Sequence, residues 1–247
     1  MKAGVLATSY SKIGGARHIF SNDTSLHVLL VGCNVPVERM PTVGNKLPAG
    51  TMIKCDSSKQ NGGDIHYSFR MYEKSDSGAT VKVEKIMGNT VAKVGMVVGK
   101  APTTAAGTTT GITINAIDSS HDEYDILTLS GDAGKLELTD ILVEVTQVGT
   151  SAKFKVIPNA ILPYDVDTIP GATLYPFNGA WMVTSEILEK RIPPVASAIK
   201  KAMKDDESYP CVFRYTLYNY LNFFVLCKDR HLVSMIGISL GRCRNLW

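Results

Sequence analysis

The sequence predicts a mainly β protein, an antiparallel sandwich or small barrel with one short C-terminal helix. Three observations predict it. Val, Thr and Ile fall in short runs with a period of two. Turn signals built on Gly, Asn, Asp and Pro separate those runs roughly every 10 to 15 residues. Helical spacing of apolar residues is convincing only once, over residues 195–203.

His27-Val28-Leu29-Leu30-Val31 reads as a strand. Pro36, Pro41 and Pro48 exclude a helix and make this region an arm or sheet edge. Leu47-Pro48-Ala49-Gly50-Thr51 is a turn into a strand over 52–55. Residues 65–71 form a further candidate strand between Gly62-Gly63 and Asp76-Ser77-Gly78. Residues 80–86 alternate, with Val81, Val83 and Lys85 read as lying on opposite faces. After a turn at Gly88-Asn89, residues 91–98 read as one or two strands broken at Gly95. Residues 101–110, rich in Ala, Thr, Gly and Pro, read as a loop.

Residues 111–129 carry the clearest hairpin. Ile112, Ile114 and Ala116 alternate with Thr113 and Asn115. Asp118 to Asp125 is a polar break of turn-forming residues, and Ile126-Leu127-Thr128-Leu129 resumes as a strand. The expectation is that the strands sit in the sheet core while Ser119 to Tyr124 project outward. A turn over 131–134 and a strand centred on Ile141-Leu142-Val143-Glu144-Val145 follow. Beyond Thr150, Pro158, Pro163, Pro170 and Pro176 punctuate an irregular stretch expected to pack over the sheet or against another subunit. Residues 185–191 could add a helical turn or two. Pro193 and Pro194 suit the first turn of the helix. Val195, Ala198, Ile199, Ala202 and Met203 then form one apolar face, with Lys200, Lys201 and Lys204 near its C-terminal end. Residues 209–247 change character. They carry Phe213, Tyr215, Tyr218, Tyr220, Phe223, Phe224 and Trp247 beside Arg214, Arg230, Arg242 and Arg244.

Composition excludes several classes. With 247 residues and 45% hydrophobic content, a proper core can form. The 26 basic and 23 acidic side chains nearly cancel, so charge gives no argument for nucleic acid. No run reaches the roughly 18 apolar residues of a membrane span. The N-terminal residues lack the pattern of a secretory signal. Cys33, Cys55, Cys211, Cys227 and Cys243, odd in number and scattered, argue against a disulfide framework and for synthesis in a reducing cytosol.

No catalytic, cofactor-binding or metal site is assigned. The loop Asp118-Ser119-Ser120-His121-Asp122-Glu123-Tyr124-Asp125 offers oxygens for calcium, but departs from the twelve-residue helix–loop–helix pattern and reads as a solvated tip. A catalytic cluster of His121, Asp122 and Asp125 is the weakest of the function classes weighed. Gly95 and Gly99 precede Lys100, but the spacing is three rather than four and Ala101 replaces the hydroxyl residue of a phosphate loop. His18, His27, His66, His121 and His231 show no zinc-ligand spacing. The aromatic and basic tail reads as core or interface ahead of a nucleic-acid surface.

The order of short signals resembles the head fibre proteins of tailed bacteriophages, especially those of phages and prophages of gut Bacteroidetes. The residues that carry it are Met1-Lys2-Ala3-Gly4-Val5, the 27–31 strand, and Arg39-Met40-Pro41-Thr42-Val43-Gly44. To these are added Leu47-Pro48-Ala49-Gly50-Thr51, residues 91–98, the 117–129 hairpin and Pro158-Asn159-Ala160. It spans about residues 1–204, and the tail beyond does not look like the family. The resemblance implies a non-enzymatic, trimeric capsid decoration on the virion surface, made in the bacterial cytoplasm, with the major capsid protein or another virion protein as partner. On that reading residues 1–55 are an arm and first strands that dock on the capsid, 56–150 a central β domain, 151–204 a Pro-rich segment with the helix, and 205–247 a tail of uncertain role. The alternative is an adhesin-like or carbohydrate-binding β module, with exposed tyrosines stacking on sugar rings at a host surface; Trp181 could join them, but within Gly179-Ala180-Trp181-Met182-Val183 it reads first as a packing anchor.

Overall fold

The computed structural model describes residues 19–20, 26–28, 32–56, 58–59, 61–76, 78–182, 187–205 and 213–214. Its first strands are β1 (Leu26–Val28), β2 (Cys33–Pro36), β3 (Lys46–Leu47), β4 (Met52–Cys55), β5 (Gly63–His66), β6 (Ser68–Arg70) and β7 (Thr80–Glu84). Then come β8 (Val97–Lys100), β9 (Thr109–Asp118), β10 (Tyr124–Leu129), β11 (Ile141–Glu144) and β12 (Gly149–Ala152). The last strands are β13 (Ala160–Ile161), β14 (Val166–Asp167), β15 (Leu174–Phe177), β16 (Ala180–Met182), β17 (Ile187–Leu188) and β18 (Phe213–Arg214), with helix α1 (Ser197–Asp205) between β17 and β18. The protein is mainly β, with a curled antiparallel sheet forming a half-barrel and one short α-helix.

The curled sheet runs β6-β11-β8-β9-β10-β7, with β12 added on β9. Its two edges touch where Met71 bridges Val83 and the Tyr72 N–H donates to Lys82 O at 3.0 Å. A second sheet runs β1-β16-β13-β4-β5. The expected single strand over 65–71 is therefore two strands: the chain leaves one sheet at His66 and enters the other at Ser68. Tyr67 is the seam between them.

The hairpin forms, with one change of face. Thr128 pairs with Ala116, but Leu129 pairs with Ile114, so Asn115 is the extra residue of a bulge. The bulge turns Ile117 towards the core and leaves Ala116 exposed, where strict alternation predicts the reverse. Ile114 and Leu127 are fully buried. Each contributes about 2 kcal/mol by burial. Ser119 to Glu123 are exposed, as expected of the tip, but Tyr124 opens strand β10 and is half-buried, and Asp125 follows inside the strand with its side chain buried.

Elsewhere three expectations change. Residues 91–96 form no strand: Val94-Gly95 is a turn, with Gly95 at φ +87° and Met96 N–H closing on Lys93 O at 3.2 Å. Residues 187–191 pair as β17 and then make a single 3-10 turn, in place of the expected α-helical turns. Pro193 and Pro194 precede α1 instead of starting it. A residue before proline is driven out of the helical region; Ile192 is extended at φ −121°, ψ 162°, and the helix begins only at Ser197. Its apolar face is the predicted one, with Ala198, Ile199 and Met203 buried. The 29–31 part of the first predicted strand and nearly all of the 205–247 tail lie outside the described residues, as does the side chain of Trp181.

Two cores result. One fills the half-barrel with Val81, Val83, Ile114, Leu127, Leu129 and Leu142. The other gathers Met52, Val143, Val145, Phe154, Ile161, Ile192 and the apolar face of α1. Strand β11 belongs to both: Leu142 faces the first core and Val143 the second. The Pro48-to-Thr51 turn closes the second core. Gly50 takes φ +87°, and a Cβ there would lie 2.1 Å from Ile192 Cγ2, so only glycine fits.

One expectation about cysteine is corrected. Cys33 on β2 and Cys55 on β4 form a disulfide, with Cα atoms 5.4 Å apart. An odd, scattered set in sequence concealed a pair that β-sheet packing brings within bridging range. The inference of a wholly reducing setting loses that part of its support.

Candidate functional site

Two polar constellations stand out. The first is the tip of the β9–β10 hairpin. Lys85 continues the inward parity of Val81 and Val83 beyond β7, so its side chain points under the loop and is only 7% exposed. Its Nζ donates to Ser119 O at 2.8 Å and His121 O at 2.5 Å, and lies 3.5 Å from Asp125 Oδ1. The Thr90 hydroxyl donates to the same carboxylate oxygen at 2.9 Å. A buried lysine thus holds the loop by its carbonyls while Asp125 balances its charge. On the outer face Tyr124 stacks between Tyr72 and His121, with ring centroids 4.5 and 4.4 Å away. The Tyr72 hydroxyl donates to Glu123 Oε2 at 2.7 Å, which raises its pKa.

The second constellation lies at the junction of the two sheets. Arg39 sits in a 3-10 turn, Val37–Arg39, and spreads its guanidinium across three acceptors. Nε donates to Asp64 at 2.5 Å, Nη1 and Nη2 to Glu144 at 2.9 and 2.6 Å, and Nη2 also to Ile65 O at 2.9 Å. Lys155 Nζ adds a 2.7 Å bond to Glu144. The Tyr67 hydroxyl donates to Arg39 O, and Lys93 Nζ donates to Glu38 O and Met40 O. Burial alone would raise the Glu144 pKa, but its bonds to Arg39 and then Lys155 outweigh burial and hold it below the ordinary value. Burial likewise opposes the charge on Arg39, and Glu144 followed by Asp64 overcomes it, so the guanidinium stays charged. The bidentate Arg39–Glu144 pair joins residues 105 positions apart and fixes how β11 meets the 37–40 segment.

The residues weighed from sequence do not converge on chemistry. His121 and Asp122 are exposed, whereas Asp125 points into the sheet, so the three form no common site. Among the described residues no group of three His, Cys, Asp or Glu side chains is placed to hold a metal ion. At Asp118, a bond from Ser120 N–H at 3.0 Å makes an Asx turn and lowers the carboxylate pKa. Gly95 is a turn and Gly99 lies in β8, where a Cβ would meet Thr110 O at 2.5 Å. His27 is exposed and His66 buried; His18 and His231 lie outside the described residues. Sequence reasoning passed over Arg39, Asp64, Glu144 and Lys155 as a group. The only signal was Glu144 itself, a charge inside the apolar run 141–145.

Among the described residues no helix is long and apolar enough to cross a membrane. Comparison with protein-family models, curated proteins and solved structures finds no match to the chain.

Proposed function

We propose that the chain is a non-enzymatic structural protein of a phage virion, a head fibre or capsid decoration that assembles as a homotrimer on the major capsid protein. One observation carries this reading: segments in which the sequence resembles head fibre proteins brace the junctions of the fold, and two of them meet directly where Lys93 Nζ donates to Met40 O at 2.9 Å. Arg39 and Met40 anchor the junction through Glu144, Tyr67 and Lys93. Asn159 brackets Cys55, accepting from its N–H at 2.8 Å and donating to its carbonyl at 3.0 Å. Leu47 pairs with Val166 and Ala160 with Ile53. Residues shared for such a purpose serve architecture rather than turnover, which suits a particle component.

Association is supported by exposed apolar side chains on segments that are tied together. Val43, Met87 and Val94 are each more than half exposed. Their segments are joined by Asn45 Oδ1 accepting from Thr90 N–H at 3.0 Å and by Asn89 Oδ1 accepting from Lys46 N–H at 3.0 Å. Covering such side chains is what subunit packing does. Native mass spectrometry is expected to give three times the 26.8 kDa chain mass. A strictly monomeric species at high concentration would count against the trimer. The carbohydrate-binding alternative draws on the exposed Tyr72–Tyr124–His121 stack, whose outer ring faces suit sugar C–H groups.

A further inference from the structure

His66 is the last residue of β5, where the chain crosses from one sheet to the other. It is 2% exposed. Its Nδ1 lies 2.7 Å from Val156 O. A carbonyl only accepts, so Nδ1 carries the hydrogen and Nε2 is left with its lone pair in the neutral ring. Among the described residues Nε2 has no hydrogen-bond partner. Its neighbours are apolar or already engaged: the Phe154 ring stands 5.8 Å away, and β4 pairs Met52 against it. The charged group that faces it is Glu144 from β11, and that carboxylate is already bonded to Arg39 and Lys155. Asp64, two residues earlier on β5, is also committed to Arg39.

We propose that His66 is an acid-sensitive latch at the seam between the two sheets. Adding a proton places an N–H and a full charge in a site with no acceptor for it, so acid favours states in which the seam opens and His66 meets water. The seam it holds includes the Glu144 N–H bond to Tyr67 O at 3.0 Å and the Ser68 hydroxyl bond to Pro194 O at 2.5 Å. Opening it would release the C-terminal segment that leads into α1 from the half-barrel.

The direction of the effect follows from linkage. Burial pushes the His66 pKa from 6.5 down to about 4, against weaker upward pulls from Val156 O and Glu144. The open or unfolded state therefore binds the proton first as pH falls, so the stabilisation is complete above about 6.5 and is lost between there and about 4. Between pH 7 and pH 5 this group alone shifts the opening equilibrium by about 20-fold. Glu144 acts in the same direction, but only near and below the ordinary carboxylate range, so pH 5 separates the two.

The test is hydrogen exchange on the full chain at pH 7 and pH 5, corrected for intrinsic rates, with NMR titration of the His66 ring. The expected result is a loss of protection of tens of fold in residues 63–68 and 153–156, with the β9–β10 pairing unchanged and the ring neutral at pH 5. The His66→Gln variant should lose most of that pH dependence. Should His66→Gln not fold, the wild-type exchange and titration decide alone. Equal seam protection at both pH values, or a folded-state ring that titrates near 6.5, would overturn the latch.

Discussion

Replacing Glu144 with alanine is expected to destabilise the protein by about 3–5 kcal/mol, the cost of stranding one side of a buried ion pair. The Arg39 guanidinium is only 18% exposed and would lose two of its four hydrogen bonds. Lys155 would lose its partner too, but it is 42% exposed and can turn to water, so the loss falls mainly on Arg39. The double replacement Arg39→Met with Glu144→Leu should recover much of the loss, since neither charge is then left alone. Urea unfolding of the single and double variants measures both. If Glu144→Ala were neutral, the junction would not depend on this pair, and β11 would be held by its ladders to β6 and β8 and by the burial of Leu142 and Val143.

Lys85→Met is expected to cost about 3 kcal/mol, by leaving the buried Asp125 carboxylate without its cation. Two loop carbonyls, on Ser119 and His121, lose their donor in the same step. Protection from hydrogen exchange should fall first over 118–125. Adding Asp125→Asn to Lys85→Met should restore part of the stability, because the remaining amide can still meet the Thr90 hydroxyl. A stable single variant with an unchanged loop would show that the β9–β10 ladder shapes the tip without Lys85.

These two sites also show what the sequence could and could not convey. Alternation made the strands legible: Val81 with Val83, Ile112 with Ile114, and Leu127 with Leu129 face inward as a period of two requires. The apolar face of α1 was legible for the same reason. The bulge at Asn115 was not, because an extra residue in one strand is defined by the register of its partner. Nor was the split of 65–71 between two sheets, since a run of strand formers does not say which neighbour each half will pair with. The Arg39 network and the Cys33–Cys55 bridge depend on distant parts of the chain meeting, and no local spacing encodes that. Asp125 looked like the end of a solvated loop, yet it shares the inward parity of Leu127 and Leu129. Counting parity back from the strand core would have placed it inside and drawn attention to Lys85, which shares the parity of Val83.

The Arg39 hub, the Asn159 clasp on Cys55 and the tight fit of Gly50 against Ile192 join segments far apart in sequence. Such cross-bracing suits the structural role proposed above.

The most direct test of the proposed role is to band any particles released from lysed source cells on a density gradient, and to probe the fractions for the chain. The account predicts that the chain co-bands with the capsid protein and is reached by antibody on intact heads. Recovery only in the soluble fraction, with heads that lack it, would contradict the account.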